Sequence, residues 1–372
     1  MKVLVLSSRF HPDKGGVENV VQMLFDKYTG DIKLVVSHGR STFKPQIKES
    51  LNGKEITRIW MGRPDSLNGW LVFPYRFLAA LFAFVNEVKK YNPDLINYHF
   101  PDDSKFLFSA SRFFIKTKYV LNLHGEDLHS FSKKSPHSYF WNKLINDSSG
   151  IVVNSEYMSG EVIDRFNITK DKVFIIPNGI DINAIDAISA RKYIEDPYIF
   201  AVGRFVFKKG FDILVSAFKE SNLEQVKLII EGKGEELESI KLLVSELDLA
   251  DRVILTEGAM SADEKIAFMK GSIFGVVPSR KEPFGIVALE FMAANVPVIS
   301  SATGGLLALV ENGVNGLLFE NENELSLADK LTRLRSDVQL RSKLMKGGRL
   351  TAERFSYEKV TSEYLNLFEK LI

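Results

Sequence analysis

Cysteine is absent from this chain of 372 residues. Disulfides, zinc ribbons, iron–sulfur ligation and a thiol nucleophile are thereby excluded, and a reducing compartment fits. An excess of one charge is missing too: 48 Lys and Arg stand against 47 Asp and Glu, a formal net charge of +1. That balance exerts no general pull on nucleic acid, and with no matching motif no such partner is expected. A glycine–x–serine–x–glycine elbow is lacking, which argues against a serine hydrolase. No Walker-type glycine–lysine–serine/threonine loop occurs, and Gly15-Gly16 lacks the third spaced glycine of a dinucleotide fingerprint. No cysteine is available to join His124, and no metal site is expected there. The opening MKVLVLSSRFHP has too short an apolar run for a signal peptide and is closed by His11-Pro12-Asp13. It reads as a first strand, and a cytoplasmic protein is expected.

What is present is an ordinary globular composition, 45% hydrophobic and 26% charged, long enough for two domains. Apolar runs that read as strands alternate with helical patterns from Val3–Leu6 to Gly316–Phe319, which predicts an α/β architecture with parallel sheets. The pattern falters between Asn183 and Pro197, where charges are frequent and no strand is evident. The domains are therefore placed at residues 1–190 and 191–354, with a helical tail at 355–372. Two open parallel sheets hold their ligand in the crevice outside the strand carboxyl ends. One stretch, Trp70–Val88, approaches the length of a membrane span, but Pro74 and Arg76 interrupt it. Phe77–Val88 then reads as a core helix.

Nearly every unusual residue follows a predicted strand. After Ile273–Val277 comes PSRKEPFGIVALEF, with Glu282 in the loop, Phe284-Gly285 at a turn, and Glu290 in the helix that starts near Gly285. Backbone N–H groups at that start, about Phe284, Gly285, Ile286 and Val287, suit an anion such as a diphosphate. The carboxylates, as pure acceptors, suit sugar hydroxyls. The plain alternative is a strand–loop–helix joint with two surface glutamates. Gly203-Arg204 and Lys209-Gly210 follow the first strand of the second domain, and Lys209 stands at a helix entrance. A cation there opposes the helix dipole, so stability does not recommend it, whereas a bound diphosphate would. Gly15-Gly16-Val17-Glu18 opens a helix after the first strand and permits close approach of a ligand, although a turn alone explains it. His124, before Gly125-Glu126-Asp127, is a ligand donor, an acid/base group or a core histidine.

Taken together, Gly15-Gly16-x-Glu18, Pro177-Asn178-Gly179-Ile180-Asp181, Gly203-Arg204…Lys209-Gly210, Glu282-x-Phe284-Gly285…Glu290 and Thr303-Gly304-Gly305 resemble glycosyltransferase family 4. The likeness extends from Val3 to about Phe319. It implies the GT-B fold, two Rossmann-like domains with parallel sheets facing a central cleft, acceptor side first and donor side second. The final helix is implied to cross back to the first domain. Arg204 and Lys209 would hold a donor diphosphate, aided by backbone N–H groups near Gly16 and Phe284–Val287. Glu282 would bind the transferred sugar, Glu290 the ribose, and His124 the sugar near the reaction centre. The base is assigned to Thr256–Gly258 on a looser pattern.

The resemblance implies a retaining enzyme moving a sugar from a UDP- or GDP-sugar to an acceptor hydroxyl, in glycan, glycolipid or polysaccharide synthesis. No carboxylate stands out as a nucleophile, and no cofactor or metal is expected. A nucleotide-sugar epimerase of the same fold, or a non-catalytic sugar-nucleotide binder, is the alternative. The basic residues Arg40, Lys44, Lys48, Lys54, Arg58 and Arg63 beside the apolar Trp70–Phe84 stretch raise peripheral contact with anionic lipid and a lipid-linked acceptor. A solvated loop beside a core helix is the plainer reading.

Overall fold

Short apolar runs bounded by turns become strands whose two faces are both covered, as in Leu95–His99, where every residue is buried. The computed structural model describes the chain except residues 11–14, 39–45, 52, 63–66, 131–136, 192–193, 222 and 259. Among the described residues the first sheet comprises β1 (Lys2–Ser7), β2 (Asp31–Ser37), β3 (Gln46–Leu51), β4 (Lys54–Ile59), β5 (Leu95–His99), β6 (Lys118–Leu123), β7 (Gly150–Val153) and β8 (Val173–Ile175). Their order is β3-β4-β2-β1-β5-β6-β7-β8. All pairs are parallel except β3 with β4. The second sheet is wholly parallel: β9 (Tyr198–Val202), β10 (Lys227–Glu231), β11 (Val253–Thr256), β12 (Gly275–Val277), β13 (Val298–Ser301) and β14 (Leu317–Phe319), in the order β11-β10-β9-β12-β13-β14. Chain order reverses direction between β1 and β5 in one sheet and between β9 and β12 in the other. Ligands of open α/β sheets gather at such switch points.

The chain divides into Met1–Gly179 with Glu358–Ile372, and Ile180–Tyr357. The sequence had placed this division at 190 and the tail at 355. Contacts within the second unit show why Ile180 and the residues after it group there. Ile180 N–H donates to Phe355 C=O at 2.8 Å. The stretch expected as linker contains a helix, Ile182–Ala187, capped by the Asp181 side chain. Arg349 holds Asp186 through two bonds of 2.8 and 2.7 Å, and Lys270 donates to the carbonyls of Ile185 and Ile188.

Two further differences have physical causes. Strand β3 escaped the pattern because it is an edge: Lys48, Glu49 and Ser50 are exposed, so little apolar alternation marks it. The apolar helix runs over Leu67–Tyr91 rather than Phe77–Val88. Pro74 is its eighth residue, where a proline forfeits one bond of the helical ladder, yet the helix continues through it. One face of this helix places Ala80, Phe84 and Val88 in the core with Tyr98 and Phe108. The opposite face leaves Leu71, Tyr75, Leu78 and Phe82 exposed. By length and composition the helix could cross a membrane, yet a third of its apolar window is buried within the first unit.

The last helix, Tyr357–Leu371, packs on the first sheet's unit through Val360, Tyr364, Leu367 and Phe368. Phe368 lies 6.3 Å from Tyr28 between ring centroids and is 1% exposed. Phe368→Ala should therefore cost about 3–5 kcal/mol of stability. Chemical denaturation measures it, and a loss below about 1 kcal/mol would show that this helix is dispensable to the unit.

Candidate active site

In the second unit the site begins where β9 and β12 end. After Val202, Gly203 and exposed Arg204 lead through a short turn, Phe207–Lys209, to Gly210 and the helix Phe211–Glu220. A side chain at Gly203 would lie 3.8 Å from Lys209 Cδ and Cε, so the lysine stem folds back over the residue next to Arg204. After Val277, the loop carries Ser279, Arg280 and Glu282. Lys209 Nζ and Glu282 Oε2 meet at 2.6 Å, with side chains 19% and 11% exposed. Ser279 Oγ donates to the same carboxylate oxygen at 3.3 Å.

Two braces hold this pair. Arg280 forks onto Asp212 with bonds of 2.8 and 2.6 Å and lies over the Phe207 ring, while its N–H donates to Lys208 C=O. The fork ties the loop after β12 to the helix after β9. From the other side Gly305 N–H donates to Glu282 C=O at 2.8 Å. Gly304 adopts φ 49°, and a Cβ there would collide with that carbonyl, so only glycine fits. The Thr303-Gly304-Gly305 motif is thus a strut beneath Glu282, with the Thr303 hydroxyl donating to Arg280 C=O. Arg280 and Asp212 carried no signal in the sequence, because an ion pair 68 residues apart in the chain has no local pattern.

The helix Ile286–Ala293 follows Gly285 at φ 105°. Its first backbone bond joins Leu289 N–H to Gly285 C=O, which leaves the amides of Ile286, Val287 and Ala288 ahead of the ladder. Phe284 is buried and supports the turn. Glu290 is buried within the helix; Lys265 Nζ bonds its Oε1 at 2.7 Å, and its Oε2 has no partner among the described residues. Thr256, assigned to the base, has its hydroxyl committed to buried Glu231, and Glu257 pairs with Lys241 at 2.6 Å.

In the first unit, Gly15 and Gly16 stand at the start of the helix Gly16–Lys27. A side chain at Gly16 would meet nothing within 4 Å. His124 follows β6, half-buried, with Nε2 3.2 Å from His99 Nδ1 at the end of β5. Arg9 follows β1, lies over the Phe100 ring and pairs with Glu126 at 3.4 Å. Buried Asp127 accepts the backbone N–H groups of His124, Gly125 and Leu128. Burial pushes Asp127 up to about 6 despite those donors. Burial, with the Arg9 charge, pushes His124 down to about 4, and burial takes His99 well below its ordinary value. The sequence missed His99 and Arg9, whose only signal was a polar residue at a strand end.

Residues 14–184 match the family model described as Glycosyltransferase Family 4, and 185–351 that of Glycosyl transferases group 1. An uncharacterized glycosyltransferase of Methanocaldococcus jannaschii is 32% identical over 77% of this chain and 78% of its own. The chain belongs to glycosyltransferase family 4. A D-inositol 3-phosphate glycosyltransferase of Xylanimonas cellulosilytica is 26% identical to this glycosyltransferase over 61% of the chain and 58% of its own. Among solved structures, sucrose-phosphate synthase of Thermosynechococcus elongatus superposes with a TM-score of 0.78 at 21% identity, covering 100% of this chain and 99% of its own. Anabaena HepE in complex with UDP-glucose does so at 0.77 and 19%, with both chains fully covered. The fold of this glycosyltransferase is GT-B.

The histidine shifts have a measurable consequence. His99 and His124 bind protons less readily folded than unfolded, so their stabilisation is present above an ordinary histidine value of about 6.5 and is lost as pH falls below it, for His124 through about 4. Asp127 acts oppositely: its share is present below about 4 and lost as pH rises through 6. Two histidines against one carboxyl leave about one proton, so stability should rise by roughly 1.4 kcal/mol per unit between about pH 4.5 and 5.5. Urea midpoints across this range test it. His99→Gln should flatten the slope, and a midpoint falling with pH would contradict the assignment.

Proposed function

We propose that this chain is a retaining glycosyltransferase that moves a sugar from a UDP- or GDP-sugar to an acceptor hydroxyl without a divalent metal. The observation that carries the reading is the Lys209–Glu282 pair, seated at the switch point between β9 and β12 and ahead of the helix at Ile286. Lysine has three donors, so Lys209 can hold Glu282 and still offer hydrogen bonds to an outer phosphate. Arg204 and the amides of Ile286–Ala288 add positive potential for the diphosphate. Glu282, oriented by Lys209 and Ser279, grips hydroxyls of the transferred sugar. Glu290 has one oxygen already fixed by Lys265, and its other oxygen would be satisfied by a ribose hydroxyl. His124 contacts the sugar near its reacting carbon. Neighbours solved with UDP and UDP-glucose support a nucleotide-sugar donor.

In this reading the bond between the sugar carbon and the phosphate oxygen breaks while the acceptor oxygen bonds to the same face. The acceptor proton passes to the leaving phosphate. Catalysis rests on stabilising the departing diphosphate and aligning two substrates. Arg204 and Lys209 provide the charge that a metal supplies elsewhere. Losing either contact should cost on the order of 3 kcal/mol, roughly a hundredfold in rate. Turnover of a donor panel with and without acceptor, and with and without EDTA, tests these roles. Arg204→Ala and Lys209→Ala should each fall about a hundredfold, with EDTA without effect. Glu282→Ala should lose turnover yet bind free nucleoside diphosphate, while Glu290→Ala should weaken that binding too. Activity abolished by EDTA and restored by magnesium, with Lys209→Ala near normal, would reject the mechanism. Sugar isomerised without acceptor would indicate an epimerase.

A cytoplasmic enzyme touching the inner face of a membrane, with a saccharide or lipid-linked acceptor, completes the proposal. Its support is the exposed stripe Leu71, Tyr75, Leu78 and Phe82, spaced so that all four share one helix face. The basic cluster contributes less than its sequence suggested. Arg58 pairs with Glu49, Lys48 with Glu55 and Glu87, and Lys54 bonds Phe25 C=O. Arg40, Lys44 and Arg63 lie outside the described residues. Apolar insertion rather than charge should then dominate. Flotation with vesicles should persist at high salt and be lost in Leu78→Ser/Phe82→Ser, and absence of flotation with any vesicle would end the idea.

A further inference from the structure

A buried run of hydrogen bonds crosses the first unit from its last helix to His124. The Tyr364 hydroxyl lies 2.9 Å from Asn122 Oδ1, and Asn122 Nδ2 donates to Asn97 Oδ1. Asn97 Nδ2 lies 2.9 Å from His99 Nε2, and His99 Nδ1 lies 3.2 Å from His124 Nε2. Tyr364, Asn122, Asn97 and His99 are no more than 2% exposed. Asn97 and His99 alternate onto one face of β5, and Asn122 pairs with His99 in register on β6. Polar side chains in the middle of a parallel sheet are costly unless each finds a partner, and here each does.

The direction of the run is constrained. A carboxamide has one accepting and one donating end, and a neutral imidazole one nitrogen of each kind. Burial keeps both imidazoles neutral. Such a series has only two self-consistent polarities: every link donates towards His124, or every link donates towards Tyr364. In the second, the Tyr364 hydroxyl would accept from Asn122 and its own buried proton would have no acceptor among the described residues. Stranding a buried donor is the more expensive arrangement.

We propose that this relay is a positioning device in which Tyr364, through Asn122, Asn97 and His99, fixes His124 in the tautomer carrying its proton on Nδ1. His124 Nε2 then accepts from His99, and Nδ1–H is the donor left for substrate. The catalytic consequence rests on the transferase reading of His124; the tautomer itself does not. Tyr364, Asn122, Asn97 and His99 are positioning residues that touch no substrate.

The test uses full-length protein labelled with nitrogen-15 in histidine, where long-range proton–nitrogen correlations report which ring nitrogen holds the proton. His124→Gln and His99→Gln assign the signals. Wild type should show Nδ1–H for both His99 and His124. Asn122→Asp is nearly isosteric but accepts only, so Asn97 must turn its amide to it and present Oδ1 to His99. That reverses the series and moves the His124 proton to Nε2. Turnover should then fall at least about a hundredfold with donor KM little changed, as expected when one oriented donor is lost. Tyr364→Phe, a milder change should the first variant fail to fold, removes the anchor and should bring up a second His124 tautomer. A wild-type His124 proton on Nε2, a His124 that keeps Nδ1–H in Asn122→Asp, or a single unchanged tautomer in Tyr364→Phe would overturn the relay. Undiminished kcat in a variant whose tautomer has reversed would overturn its positioning role. The spectra need no substrate, so failure of the relay and failure of the transferase reading give different results.

Discussion

Lys209 and Glu282 meet because three loops, each leaving a different strand of one parallel sheet, are bonded to one another through their backbones. The loop after β12 takes Lys208 C=O on one side and Gly305 N–H on the other. The Arg280–Asp212 fork closes the arrangement from beneath. A carboxylate and an ammonium held at 2.6 Å on flexible side chains alone would gain little over water. Held on a braced frame and largely out of solvent, the pair has a defined direction. The glycines of this region serve the frame before they serve any ligand.

The first unit solves the same problem with neutral groups. His124 there is held by strand register and by a line of amides and rings rather than by opposing charges. The last helix of the chain seals that line with a tyrosine hydroxyl. This gives the return of the chain to its first unit a chemical role in addition to covering Tyr28 and its neighbours. Arg9 and Glu126 pair nearby, after β1 and β6.

Much was legible beforehand. Strand–helix alternation follows from residue patterning, since a buried parallel strand must be a short apolar run and a crossover helix must be amphipathic. The positions of Arg204, Lys209 and Glu282 were visible because the segments just past the carboxyl ends of parallel strands are marked in the sequence by glycine and proline. The edge strand β3 was not visible, because exposure on both faces erases alternation. The boundary near 190 was misplaced by a helix whose stability comes from Arg349 and Lys270, far away in the chain.

By itself the sequence determined the fold class, the family and the identity of the charged residues, because these depend on local patterns and on motifs a few residues long. Tertiary structure alone decided which of those residues hold one another. It paired Glu282 with Lys209 and Glu290 with Lys265, spent the Lys48 and Arg58 charges on neighbouring glutamates, and left one face of an apolar helix uncovered. It also joined Tyr364 to His124 through three intermediaries. Partners of this kind lie tens to hundreds of residues apart, and their hydrogen bonds are set by strand register and helix docking, neither of which leaves a mark in local sequence.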